Sequence, residues 1–386
     1  MLPADTILQS LKKNMLYNLR EGTTALLNWQ RLRSDEPIGY VQFNLHGALP
    51  ALPEPRGFVQ QRVLGPAPFS LWELERAFQR IAADTRVNGV ILALESLELG
   101  TADLQTLRSS ITRLRAQSKR VICIAKEYNL LSYYVASAAD EILLHPSGIL
   151  GTTGLIQQST YFKDALEAVG MQADAVAISP YKSAADRLTR NEPSPESQAM
   201  SDWLLDSIYE QLIAGIAEAR SLSEDAVRAM VDTSPHIDLK ALDAGFVDGL
   251  MNEEGLYTHL KTKSILLWEQ AQHRVLLLTP GHSKRYVAVL GVSGSIVDGE
   301  SADPPVKLPI PLVGGERMGD ATVVRLVRGL VKDEDAAALV FYIDSGGGSA
   351  TASEAMSAAL EEFGRTRPIV VCMGNVAASG GYYIAT

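Results

Sequence analysis

Two stretches decide how this chain is read: "VICIAKEYNLLSYYVAS", Val121 to Ser137, and "VVCMGNVAASGGYYIAT", Val370 to Thr386. They align without a gap at an offset of 249 positions, which puts Tyr133 and Tyr134 on Tyr382 and Tyr383, and Cys123 on Cys372. Upstream, the same offset puts "VILALES" from Val90 on "LVFYIDS" from Leu339. Nearer the start of each, "YVQFNLHGAL" from Tyr40 resembles "YVAVLGVSGSI" from Tyr286, with an offset shorter by three. A shared offset over such a length is an internal repeat. The chain therefore reads as one complete unit and the first part of a second.

Each unit alternates apolar strands with amphipathic helices. In the first, "GYVQFNL", "GVILALES" and "RVICIAK" have the continuous apolar character of strands buried on both faces. Between them, "SLWELERAFQRIAAD" predicts a helix capped at Ser70, with Leu71, Leu74 and Phe78 on one face. "TADLQTLRSSITRLRAQ" predicts another, capped at Thr101. Buried strands joined by helices imply an α/β fold with parallel sheets and right-handed crossovers. The expected organisation is an N-terminal helical segment over 1–38, a first domain over 39–256, a linker over 257–284, and the first part of a second domain over 285–386. Pro304 to Gly315 reads as a long loop rich in proline and glycine.

Composition narrows the function classes. The 386 residues are 46% hydrophobic and 21% charged, as in ordinary globular domains, and the net charge of -10 argues against a nucleic-acid partner. Both cysteines sit in apolar runs and read as buried thiols. The histidines show no metal-binding spacing, so no metal or cofactor is expected. No apolar run approaches the roughly 18–20 residues of a membrane-spanning helix, and no secretory-signal pattern is visible. Leu8, Leu11, Met15 and Leu19 form a helical stripe flanked by Lys12, Lys13 and Arg20. The reading preferred for it is a helix packed on its own or a neighbouring subunit, with a membrane surface as the alternative.

The two units differ where chemistry would sit. At the shared offset Ser379, Gly380 and Gly381 replace Leu130, Leu131 and Ser132, and Gly346-Gly347-Gly348 replace Leu97-Glu98-Leu99. A shared packing need would have kept these alike. Glycines let backbone amides approach a ligand, and a serine at a strand-to-helix turn can be presented as a nucleophile. In a parallel sheet both turns lie on one rim, which proposes a nucleophile beside an oxyanion hole. Taken alone, "AASGG" is more simply a serine N-cap with glycines for close packing. The triple glycine would also suit phosphate, but it lacks the Lys-Ser/Thr ending of a P-loop. A serine needs an activating base. No histidine is well placed, since His282 precedes a strand. Lys182, following the apolar "ADAVAI" that reads as a strand, is the candidate by position, although a lysine at a strand end is ordinarily just solvated.

Together these residues resemble the signal peptide peptidase A family, Ser-Lys proteases of the ClpP/crotonase fold, in its long form with tandem domains. The resemblance runs from about Tyr40 to Thr386 and rests on "PYKSAADRLTRNEPSPES", "DAGFVDGL", "VSGSIVDGE", "GGERMGD", "IDSGGGSATASEAM" and "GNVAASGGYYIAT", in the family's order. It implies Ser379 as nucleophile, Lys182 as general base, and Gly347 and Gly348 as oxyanion-hole glycines. It also implies apolar peptide substrates such as cleaved signal peptides, a homo-oligomer of tetrameric form, and a membrane-associated or cell-envelope location. Two features depart from the pattern: Asp344-Ser345-Gly346 stands where the family often has Asn-Ser-Pro, and the family's N-terminal anchor is not seen. The second unit stops after Thr386, so the expectation is a truncated second repeat, inactive by itself. The alternatives are a crotonase-like acyl-CoA enzyme and a non-catalytic scaffold of the same fold.

Overall fold

The apolar runs "GYVQFNL", "GVILALES" and "RVICIAK" of the first unit become strands of one sheet, and those of the second unit become strands of another. The computed structural model describes residues 20–33, 37–54, 56, 61–62, 65, 67–279, 281, 285–302 and 316–386. The stripe from Leu8 to Leu19 and the loop from Pro304 to Gly315 lie outside the described residues.

In the first unit, β1 (Gly39–Gly47), β2 (Val87–Leu97), β3 (Arg120–Asn129) and β4 (Glu141–Gly151) are parallel neighbours in that order. The helices α1 (Leu71–Ala83), α2 (Thr101–Ala116) and α3 (Leu130–Ala136) follow β1, β2 and β3. Beyond β4 lie two short strands, β5 (His236–Ile237) and β6 (Gly249–Leu250), after the long helix α4 (Pro195–Arg220). Ser70 caps α1 as expected: its side chain accepts from Glu73 N, and the Glu73 carboxylate closes the box on the Ser70 amide. Leu71, Leu74 and Phe78 face inward. In the core Phe43 stacks on Trp268 at 5.1 Å and meets Phe78 edge-on at 5.6 Å.

Trp268 shows that the segment read as a linker, 257–284, is partly built into the first unit. β7 (Ile265–Leu267) pairs in parallel with β1, and Trp268, Ala271 and Val275 join the same core. A cluster of cations fastens the chain beyond Ala271. Arg80 donates to the carbonyls of Gln272, Val275 and Leu276, and Arg86 to that of Arg274. Arg31, on the helix over residues 20–32, reaches the Gln272 and Val275 carbonyls. At the centre of this cluster the fully buried Asp84 receives Arg86 at 2.8 Å and the Leu276 amide at 3.0 Å. The buried Lys119 ammonium donates to the Asp84 and Val87 carbonyls.

The second sheet runs β11-β10-β8-β9, all parallel: β8 (Tyr286–Val297), β9 (Arg317–Gly319), β10 (Ala336–Gly348) and β11 (Ile369–Ala377). Its helices are α5 (Asp320–Lys332), α6 (Ala350–Gly364) and α7 (Gly380–Ala385). The order β11-β10-β8 repeats β3-β2-β1, as the sequence repeat requires. Two expectations need correction. Cys123 is buried, but Cys372 is exposed, because β11 is the edge of its sheet whereas β3 lies between two strands. "ADAVAI" forms no strand; Val176 and Ile178 are 96% and 94% exposed. The flank of β4 that a further strand would use is taken by β5 and β6.

Burial pushes the Asp84 carboxyl up, but the hydrogen bonds from Arg86 and from the Leu276 amide outweigh it and hold the group below the usual carboxylate range. A depressed carboxyl stabilises the fold above its unfolded value of about 3.9 and ceases to do so as pH falls through the lower folded value. Asp84→Asn should therefore cost about 1.5–3 kcal/mol in urea denaturation at neutral pH. The gap between variant and wild type should close on acidification below about pH 4.

Candidate active site

The expected site residues belong to two strand–turn–helix junctions of the second unit and one loop of the first. β10 ends in Gly346-Gly347-Gly348, after which Ser349 caps α6 by accepting from the Ala352 amide at 3.3 Å. Gly347 is buried with φ +95°, a conformation that favours glycine. Its amide donates to Ser345 Oγ at 3.1 Å, and that hydroxyl donates to the Gly294 carbonyl at 2.5 Å. The glycine turn is thus pinned to β8 by a buried serine.

β11 leads into the second junction. The Ala378 amide donates to the Ser345 carbonyl at 3.1 Å and the Val376 amide to Asp344 Oδ1 at 3.0 Å, which ties this turn to β10. Ser379 comes next, at the head of α7, exposed, with φ 49° and ψ -120°. That is a positive-φ conformation that favours glycine, unusual for a residue with a Cβ and costing about 1–3 kcal/mol. Ser379 stands in the N-cap position yet makes no side-chain cap bond, and among the described residues its Oγ has no hydrogen bond. The simple reading of "AASGG" as a serine cap therefore fails. The first unit supplies the contrast: there Asn129 caps α3 through a full capping box, and Leu130, the counterpart of Ser379, begins the helix itself.

The two junctions meet. A Cβ added at Gly347 would lie 2.5 Å from the Gly380 nitrogen and 2.9 Å from Ser379 Cβ. Gly381 has the Ser345 carbonyl oxygen 2.5 Å from the place of its missing Cβ. The glycines thus serve clearance first. Gly347, expected as an oxyanion donor, has its amide engaged by Ser345, and Gly348 is exposed with its Cα against the Ile296 backbone. Lys182 is exposed, at the start of the short 3-10 turn Ser183–Ala185. Its amide donates to the Ser179 carbonyl; among the described residues its ammonium makes no hydrogen bond or ion pair and is joined to neither Ser379 nor Gly347.

Sequence reasoning gave no role to Ser345, Asp344 or Asn375. The Asn375 side chain reaches the start of α2 in the first unit, where the sequence predicts Thr101 as cap. The observed N-cap is Gly100, which has no side chain to offer. A glycine at a helix start with no capping side chain of its own was the signal that could have found it. A cleft of about 940 Å³ at the carboxyl ends of β1 and β2 has Asn375 in its wall. Among the described residues no His, Cys, Asp or Glu group could hold a metal ion, and no helix is long and apolar enough to cross a membrane.

Residues 113–266 match the family described as Peptidase family S49. Over 346 residues the chain is 29% identical to Protease 4 of Haemophilus influenzae, an alignment covering 83% of this chain and 54% of that protein. It is 27% identical over 328 residues to "Serine protease SPPA, chloroplastic" of Arabidopsis thaliana, covering 82% and 47%. It is 27% identical over 335 residues to Protease 4 of Salmonella typhi, covering 82% and 52%. The chain spans about half the length of the curated relatives it matches. These similarities support the resemblance to SppA-type proteases that the repeat and its motifs carry.

Strain at Ser379 is testable by stability alone. Ser379→Gly should be more stable than Ser379→Ala by about 1 kcal/mol, because glycine accepts this positive-φ backbone and alanine does not. Gly347→Ala should cost about 1–3 kcal/mol, since its new methyl must displace the Ser379 turn. Equal melting of the two Ser379 variants would remove the claim of strain.

Proposed function

We propose that the chain carries the serine of a Ser-Lys peptidase site, acting on apolar peptides such as cleaved signal peptides. The observation that carries this is the Ser379 turn: a strained, exposed serine whose Oγ has no hydrogen bond among the described residues, beside a glycine turn cleared of side chains. That is the geometry of a nucleophile elbow. In the proposed reaction Ser379 Oγ attacks the scissile carbonyl carbon while Lys182 Nζ, as the neutral amine, takes the hydroxyl proton. Backbone amides at the rim receive the oxyanion. Collapse breaks the C–N bond, and the lysine returns its proton to the leaving amine. Water then attacks the acyl ester with the same lysine as base, which releases the acid and restores Ser379.

The amine must first reach the serine. Lys182 comes after a stretch whose apolar side chains, Val176 and Ile178, stand in solvent. Covering that stretch with a second copy, in a homo-oligomer of the tetrameric kind that the resemblance implies, would bury it and exclude water from the lysine. A membrane-associated or envelope location is implied by the same resemblance, and apolar substrates fit it.

The test, made on the protein at the full length of its relatives, is labelling with a fluorophosphonate, then peptide mapping. The expected adduct is on Ser379, and Ser379→Ala should abolish both labelling and hydrolysis of a fluorogenic apolar peptide. Lys182→Ala should lower hydrolysis by about 10²–10⁴-fold, the usual worth of a positioned base, while leaving the melting temperature unchanged. Near-normal turnover in Lys182→Ala would reject the assigned base. No adduct at Ser379 would reject the whole reading.

A further inference from the structure

We propose that Asn375 is a positioning residue that holds the Ser379 turn against the first unit; the inference rests on the reading of Ser379 just given. Asn375 lies in β11, four residues before Ser379. Its Oδ1 accepts from the Ala102 amide at 3.1 Å and from the Asp103 amide at 3.3 Å, and its Nδ2 donates to Asp103 Oδ2 at 2.5 Å. The first turn of α2 needs acceptors for its free amides. A capping side chain normally comes from the residue before the helix. Here that residue is Gly100, and the second unit provides the cap.

The fit is specific to a carboxamide. Asp103 is buried, and burial raises its carboxyl above the ordinary value; the Asn375 hydrogen bond opposes this and the charge of nearby Asp344 adds to it. A carboxylate at 375 would put another negative charge beside these two. An apolar residue would leave a buried carboxylate and two amides unmet. Asparagine accepts from the amides and donates to the carboxylate at once. The approach is close enough that a methyl added at Gly100 would overlap the Asn375 carboxamide.

The same stretch is fastened on its other side. The Val376 and Ala378 amides bond Asp344 and Ser345 of β10, so residues 375–378 are held between β10 and α2, and Ser379 comes next. The proposed reaction takes its serine from the second unit and its base from the first. The relative placement of the units therefore sets the serine–lysine distance, and Asn375 fixes that placement beside the nucleophile.

The protein at the full length of its relatives is assayed by fluorophosphonate labelling and by hydrolysis of a fluorogenic apolar peptide, with amide exchange monitored at Ala102 and Asp103. Asn375→Ala should lower kcat about tenfold to a hundredfold, the cost of a misplaced reacting group, with KM changed less than about twofold. Amide exchange at Ala102 and Asp103 should quicken. Gly100→Ala, made in the other unit at an ordinary φ, should reproduce both effects. Asn375→Asp alone should be at least as impaired as Asn375→Ala. Combined with Asp103→Asn, which exchanges acceptor and donor, it should recover most of the activity. Wild-type labelling rate and kcat in both Asn375→Ala and Gly100→Ala would overturn the inference, whether or not exchange quickens. If wild-type protein shows no adduct on Ser379, the reading of the serine has failed first and this inference falls with it.

Discussion

Everything at the candidate site depends on two backbones passing where no side chain fits. The turn after β10 and the turn after β11 touch through Gly347, Gly380 and Gly381, each of which would drive a Cβ into its neighbours. That contact sets where α7 starts. In the first unit the same junction has Asn129 and Leu130, so the helix begins one position earlier and is capped conventionally. In the second unit α7 starts after the serine, which stays outside the helix at positive φ. The clearance and the exposed hydroxyl are one feature seen from two sides.

Much of the fold was legible because the signals were local or repeated. Buried parallel strands announce themselves as apolar runs, and Ser70 with Glu73 spells out a capping box. The repeat alone established the correspondence of β1-β2-β3 with β8-β10-β11. The difference between the repeats pointed to Ser379 and the glycine turn. The illegible part depends on contacts between distant residues. Nothing local marks Trp268 as core to the first sheet, Asn375 as cap of a helix in the other unit, or Ser345 as the pin of the glycine turn. "ADAVAI" misled because its composition suits a strand, whereas a strand also needs a neighbour to pair with.

The buried polar groups of this molecule join segments that are distant in sequence. Buried Asp84 gathers a strand start, a helix end and the chain after β7, and guanidinium groups satisfy carbonyls that no regular element can reach. Ser345 does the same on a smaller scale, linking β8 to the glycine turn. Such groups are recognised only through their partners. They are the part of a fold that composition and periodicity describe least well.

The cap that Asn375 places on α2 has a consequence in time. Its donor and acceptor are separated by 273 positions, so at about 5–20 residues per second the first turn of α2 is synthesised some 14–55 seconds before its cap exists. During that interval water must serve the amides of Ala102 and Asp103. The nascent first unit therefore carries a frayed helix end, and the arrival of β11 closes it. The strand that delivers the serine is also the strand that finishes the earlier domain, so the two events are coupled during synthesis.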